Sequence, residues 1–327
     1  MRRRAFIAGV VGAATGWPLA VRAQPATASV VGFLHSASAS YSSVMAASMR
    51  ESLARQGFID GTNLRIEIRL ANGHYERLAP LARELVALKV DAILAGGGSD
   101  PANAAKAATS VIPIVFVSAA DPVKAGLVAS INRPGGNITG VSLLGSSLEP
   151  KRLEILSRLA PADGPLCALV NPKYPDAAGQ IEAFMKAAAT IKRPLGIVKA
   201  STEGEIDMAF AAASERRCSG MAVAQDPLFV SYVPLIVTTA ARHKMPVIYH
   251  QREFVEGGGL ISYGTHFRDG YRQAGFYLGK ILKGAKPTDL PVLQPEKFEL
   301  VINRRAAKAL GIEFPIDLAA AADEVID

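Results

Sequence analysis

Six short segments carry the side chains best suited to chemistry, and each follows a stretch that reads as a buried strand. They are His35-Ser36-Ala37-Ser38, Gly97-Gly98-Ser99-Asp100, Ser118-Ala119-Ala120-Asp121-Pro122, Asn171-Pro172-Lys173-Tyr174, Gln225-Asp226-Pro227 and Tyr249-His250-Gln251. Their hydroxyls, amides, glycines and Asp-Pro pairs suit hydrogen bonding to a small polar solute. Ser99 and Ser118, beside N–H groups at helix starts, suit a carboxylate. Asp121 or Asp226 suits an ammonium group. Tyr174, Phe229, Tyr249 and Tyr263 suit the walls around an apolar part. His35, Ser36, Gly98, Asn171 and Gln251 complete the expected ligand-binding set. Singly, each has a plainer reading, because Ser and Asp before a helix are usually N-caps and Asp-Pro is usually a turn. The argument for a site is that six strand ends meet at one edge, where doubly wound sheets hold ligands.

Signals for catalysis are weak. The chain has no G-x-S-x-G elbow and no G-x-x-x-x-G-K-S/T loop. Its five histidines (His35, His74, His243, His250, His266) show no metal-ligand spacing. Gly135-Gly136 and Gly257-Gly258-Gly259 read as turns. No catalytic residue, metal or cofactor is therefore expected. An enzyme using His35 or His250 with Asp121 is the least supported reading.

The elements that position these segments alternate. Ser29–Leu34, Leu64–Leu70, Asp91–Ala95, Ile112–Val117 and Ile138–Leu143 read as strands. Helical patterns separate them at Ser43–Gln56, Tyr75–Leu88, Pro101–Thr109 and Val123–Ile131. The rhythm restarts with helix Glu149–Leu159 and strand Leu166–Val170, and runs to the helix Arg268–Leu282. The fold class expected is α/β, with two doubly wound parallel-sheet lobes. Crossings between lobes are expected at Leu144–Pro150, near Tyr263–Arg268, and at Lys286–Val292. Residues 28–145 plus 264–289 would form one lobe, and 146–263 plus 290–327 the other.

The 327 residues carry a formal charge of +7. Arg2, Arg3, Arg4 and Arg22 lie in the first 23 residues, which hold no acid, and the rest has 32 basic against 29 acidic groups. That surplus does not argue for nucleic acid. Residues 1–23 read as a secretory signal peptide: arginines, a short apolar run, then Val21-Arg22-Ala23. Arg3-Arg4-Ala5-Phe6-Ile7 resembles the twin-arginine form. A periplasmic protein starting near Gln24 is expected. Cys167 and Cys218 precede or open strands. If those strands are neighbours, the sulfurs are close enough to bridge; buried free thiols are the alternative.

Several stretches resemble the substrate-binding proteins of a bacterial ABC-transporter family, the one that includes tryptophan-binding receptors. They are Leu81–Gly97, Ile112–Ser142 (IPIVFVSAADPVKAGLVASINRPGGNITGVS), Phe254–Gly264, Ile281–Gly311 and the closing ADEVID. The resemblance implies a type I periplasmic-binding fold, with a ligand captured between two lobes and delivered to an ABC permease in the inner membrane. It implies no chemistry. Gly98-Ser99-Asp100 departs from the Thr-Pro-Ala type turn of the tryptophan-binding relatives, and Asp226-Pro227 from their Asp-Asn turn; both departures argue against tryptophan itself. The expectation is an exported solute-binding protein, working as a monomer, for a small amino acid or aromatic or organic acid. A periplasmic sensor that presents its ligand-bound state to a membrane receptor is the alternative. A repressor of the same fold would carry an N-terminal helix-turn-helix where this chain has its leader.

Overall fold

The computed structural model describes residues 28–295 and 297–327. The expected leader, residues 1–23, lies outside them. Among the described residues the strands form two sheets. The first holds β1 (Ser29–His35), β2 (Leu64–Leu70), β3 (Ala92–Gly96), β4 (Ile114–Ser118) and β5 (Ile138–Ser142), in the order β2-β1-β3-β4-β5. All its pairs are parallel. The second holds β6 (Leu166–Val170), β7 (Leu195–Lys199), β8 (Gly220–Val223), β9 (Val247–Tyr249), β10 (Ile261–Gly264), β11 (Glu299–Asn303) and β12 (Glu324–Ile326). Its order is β12-β11-β10-β9-β8-β6-β7.

Helices cover both faces of each sheet. They are α1 (Ala39–Ala54), α2 (Leu78–Ala87), α3 (Ser99–Ala108), α4 (Glu149–Leu159), α5 (Ala177–Thr190) and α6 (Glu203–Glu215). α7 (Pro227–Ser231), α8 (Val233–Arg242), α9 (Arg252–Glu256), α10 (Phe267–Leu282), α11 (Arg304–Leu310) and α12 (Ile316–Ala320) follow. Because both sheet faces are covered, the central strands are continuous apolar runs: β3, β4 and β6 are buried at every residue. Helix ends follow local chemistry. At the start of α6, Thr202 Oγ1 accepts from the Glu205 N–H, and the Glu205 carboxylate accepts in turn from the Ser201 N–H. Asn303 caps α11, which Gly311 ends at φ +67°.

Three expectations need correction. Val123–Ile131 is a run of turns, not a helix. Asp121 Oδ1 accepts from the N–H groups of Val123 and Lys124, and Gly126 sits at φ +68°, which breaks a helix after its first turn. The second sheet is not wholly parallel, since β11 runs antiparallel to β10. β10 leads out into the first lobe through α10, so the returning chain enters the second sheet from the cleft edge and must run the other way. The return also comes later than Lys286–Val292. Val292 is buried in the first lobe's core, its N–H donates to Ile131 O, and Leu293 still bridges Val141. The crossing therefore lies between Leu293 and Glu299.

The other two crossings meet at a buried ion pair. Arg152 and Glu149 on α4 are 1% and 0% exposed, with Nη2 3.0 Å from Oε1. Arg152 also donates to the carbonyls of Gly145 (2.9 Å) and Tyr263 (3.2 Å), one on each crossing segment. Cys167 and Cys218 are joined as a disulfide across the neighbouring β6 and β8.

Candidate functional site

The carboxyl ends of both sheets face one cleft, and the lobes touch across it. Tyr41 in the first turn of α1 donates to Gln251 Oε1 at 2.9 Å. Tyr75 donates to Asp226 Oδ2 at 3.2 Å, and the Ser38 N–H donates to Ser231 Oγ at 2.9 Å. The inner cleft is lined from the first lobe by His35, Tyr41, Gly97, Gly98, Ala119, Phe267 and Tyr271. From the second lobe come Tyr174, Gln225, Asp226, Val230, His250 and Gln251.

The expected residues divide into three groups. His35, Gly98, Tyr174, Asp226 and Gln251 line the inner cleft. Ser99 and Asp121 line its outer part, beside Asp100 and the first residues of α5. Ser36, Ser118 and Asn171 stand behind it as supports. Ser36 Oγ donates to Gly97 O at 2.5 Å, Ser118 Oγ accepts from the Ala120 N–H, and Asn171 Nδ2 donates to Asp226. Tyr249 and Tyr263 do not reach the cleft. Tyr249 is still within the ladder, paired with Ser262, so strand alternation points it into the helix layer against Phe254. Tyr263 sits beside Phe298 of the returning segment.

Tyr41, Phe267 and Tyr271 were not foreseen; Gln225 and His250 stand in the expected strand-end segments but outside the expected ligand-binding set. Tyr41, Phe267 and Tyr271 lie in the opening turns of helices that start at the cleft edge. An aromatic in the opening turn after a strand-end loop is the signal that would have found them.

Hydrogen bonding fixes the proton order at His35. Its Nδ1 accepts from the Ala37 N–H at 3.0 Å. Burial lowers its pKa to about 3, so the ring is neutral and its proton sits on Nε2. That proton goes to Tyr271 Oη, 2.7 Å away. The Gly97 N–H also donates to that oxygen, so the Tyr271 proton is left to face the cleft. Gly97 adopts φ +85°, and a Cβ there would lie 2.3 Å from Ser36 Oγ; only glycine permits this approach. His250 is also held neutral by burial, with the Val223 backbone beside its ring.

Asp226 is the ionisable group at the centre. Its Oδ1 accepts from the Leu228 N–H, its Oδ2 from Asn171 and Tyr75. All are neutral donors, and burial pushes its pKa up to about 7. Asp100 nearby is raised to about 6, also by burial, and its Oδ2 lacks a partner among the described residues. The second lobe thus offers negative charge beside Tyr174, and the first offers a hydroxyl donor. Gln251, with Oε1 taken by Tyr41, offers its amide NH2 between them.

A tyrosine-binding protein of Clostridioides difficile (strain R20291) is 28% identical over 263 residues, 80% of this chain and 75% of that protein. A conserved domain protein from Vibrio cholerae superposes with a TM-score of 0.83 at 26% identity, covering 91% of this chain and 99% of that one. An ABC domain from Streptococcus pneumoniae in complex with L-Trp gives 0.81 at 25% identity, with 91% and 100% covered. A ligand-free, open substrate-binding protein from Clostridium difficile gives 0.65 at 26% identity, with 91% and 99% covered. The two α/β lobes are those of the type I periplasmic-binding fold. The family model for ABC transporter substrate binding proteins matches residues 37–326, and with that span the chain belongs to this family.

Proposed function

We propose that this protein works outside the cytoplasm, where it captures an amino acid with an aromatic or branched apolar side chain and hands it to an ABC permease in the inner membrane. The observation that carries the reading is Asp226: a buried carboxylate facing the cleft with neutral donors around it. A ligand ammonium supplies the charge that site lacks. The ligand carboxylate meets the Tyr271 hydroxyl, the Gln251 amide and the N–H groups of Gly98 and Ser99. Tyr174, Tyr41 and Phe267 enclose the side chain. Ser118 is 1% exposed behind the cleft and Ser99 lies further out, so neither is the principal carboxylate donor. The names of the tyrosine-binding relative and of the L-Trp complex favour the same class. The Cys167–Cys218 bridge suits an oxidising compartment.

Titration calorimetry tests this, with L-tyrosine, L-phenylalanine, L-tryptophan and L-leucine set against the same acids without the amine. The amino acids should bind, and Asp226→Asn should weaken them by about tenfold or more, as loss of a charged hydrogen bond does. Equal affinity for the amine-free acids, together with a silent Asp226→Asn, would remove the amino-acid assignment.

A further inference from the structure

The outer face of the second lobe holds a pit separate from the cleft. It sinks between α8 and α11 and encloses about 370 Å³, within the usual range of about 300–1,000 Å³ for small-molecule sites. Val237 and Ala240 of α8, Met245 and Val247 form its buried side. Ala306 and Leu310 of α11 form the other, and Ala309 at the mouth is exposed.

Two polar groups reach this apolar space. Tyr249 lines it, is 0% exposed, and stacks on Phe254 at 4.6 Å. Its hydroxyl has no partner among the described residues. A buried hydroxyl in that state costs stability unless something pairs with it. Asn303 uses Oδ1 to accept the Ala306 N–H, which leaves its amide NH2 to donate. Both groups are hydrogen-bond donors on the wall of the pit. The rim disfavours an anion: Glu256 and Asp327 are there, and Arg305 already donates to the Asp327 carbonyl.

We propose that this pit is a second ligand site, for a small uncharged molecule with a ring-sized apolar body and one oxygen acceptor, the chemistry of an aromatic ketone or ester. The test is a titration of the whole protein with acetophenone, followed by calorimetry and by amide NMR. Saturable one-to-one binding is expected, with shifts at residues 237–249 and 303–310 and none at 97–99 or 225–226. Ala309→Trp, a change at an exposed mouth position, should abolish it. Tyr249→Phe should weaken it about tenfold. Because Tyr249→Phe deletes an unpaired buried hydroxyl, it should also raise the melting temperature of the ligand-free protein. Benzoate, with the same ring and a charge, should bind at least about tenfold more weakly than acetophenone. The proposal is overturned by an absence of saturable binding up to the solubility limit, by shifts centred on the cleft, or by an affinity that Ala309→Trp leaves unchanged.

Discussion

The Asp226 carboxylate accepts a capping N–H, an amide and a phenol, and still has its pKa raised to about 7 by burial. The sign of the linkage follows. The folded, ligand-free protein holds this proton more tightly than the unfolded chain, so at this group stability falls as pH rises from about 4 to about 7. An ammonium ligand needs the ionised form. Calorimetry from pH 5.5 to 8 should therefore show affinity rising with pH, by up to about tenfold per unit below 7, then levelling, with proton release on binding near pH 6. A flat profile would place the ammonium elsewhere. His35 works in the opposite direction. Its folded pKa of about 3 means its contribution is full above 6.5 and is lost as pH falls towards 3. Residues beyond the last ladder pair, such as Ser36, Gly98 and Gln251, were legible in the sequence because strand ends in a doubly wound sheet face the cleft. Tyr249 was not, since one step of register decides whether a ring faces ligand or core.

The strands were legible as elements because parallel strands buried on both faces are unbroken apolar runs. Val123–Ile131 misled because apolar spacing alone does not register Gly126 or the Asp121 turn. The direction of β11 is not written in its own residues; it follows from where the chain re-enters the sheet. α4 has a role its sequence pattern hid. Its apolar face carries Glu149 and Arg152 into the core, and Arg152 ties Gly145 to Tyr263, so two of the crossings share one anchor. Arg152→Met would leave Glu149 buried alone, at a cost of about 3–5 kcal/mol. The double variant Glu149→Leu/Arg152→Met should recover most of that loss in urea denaturation. It should not recover the hinge: small-angle scattering should show a wider spread of lobe separations. A double variant as unstable as the single would mean that the carbonyl bonds, not the unpaired charge, dominate.

At the scale of the whole molecule, the Cys167–Cys218 bridge closes a sequence separation of 51 residues within one lobe, at the sheet edge away from the cleft. Chain entropy puts its contribution near 4 kcal/mol. The paired Cys167→Ala/Cys218→Ala variant should lose about 2–5 kcal/mol in denaturation while its ligand affinity at 25 °C stays within about twofold, because neither lobe surface nor hinge is touched. A large loss of affinity would show that the second lobe needs the bridge to keep its cleft edge in shape. The contacts that draw the lobes together have a different consequence. Tyr41–Gln251, Tyr75–Asp226 and Ser38–Ser231 join protein to protein, with no ligand atom in any of them. An enclosed solute cannot leave until they part, so the protein's own opening sets an upper limit on the escape rate of every ligand. Weak and strong ligands alike then dwell at least as long as the closed form lasts.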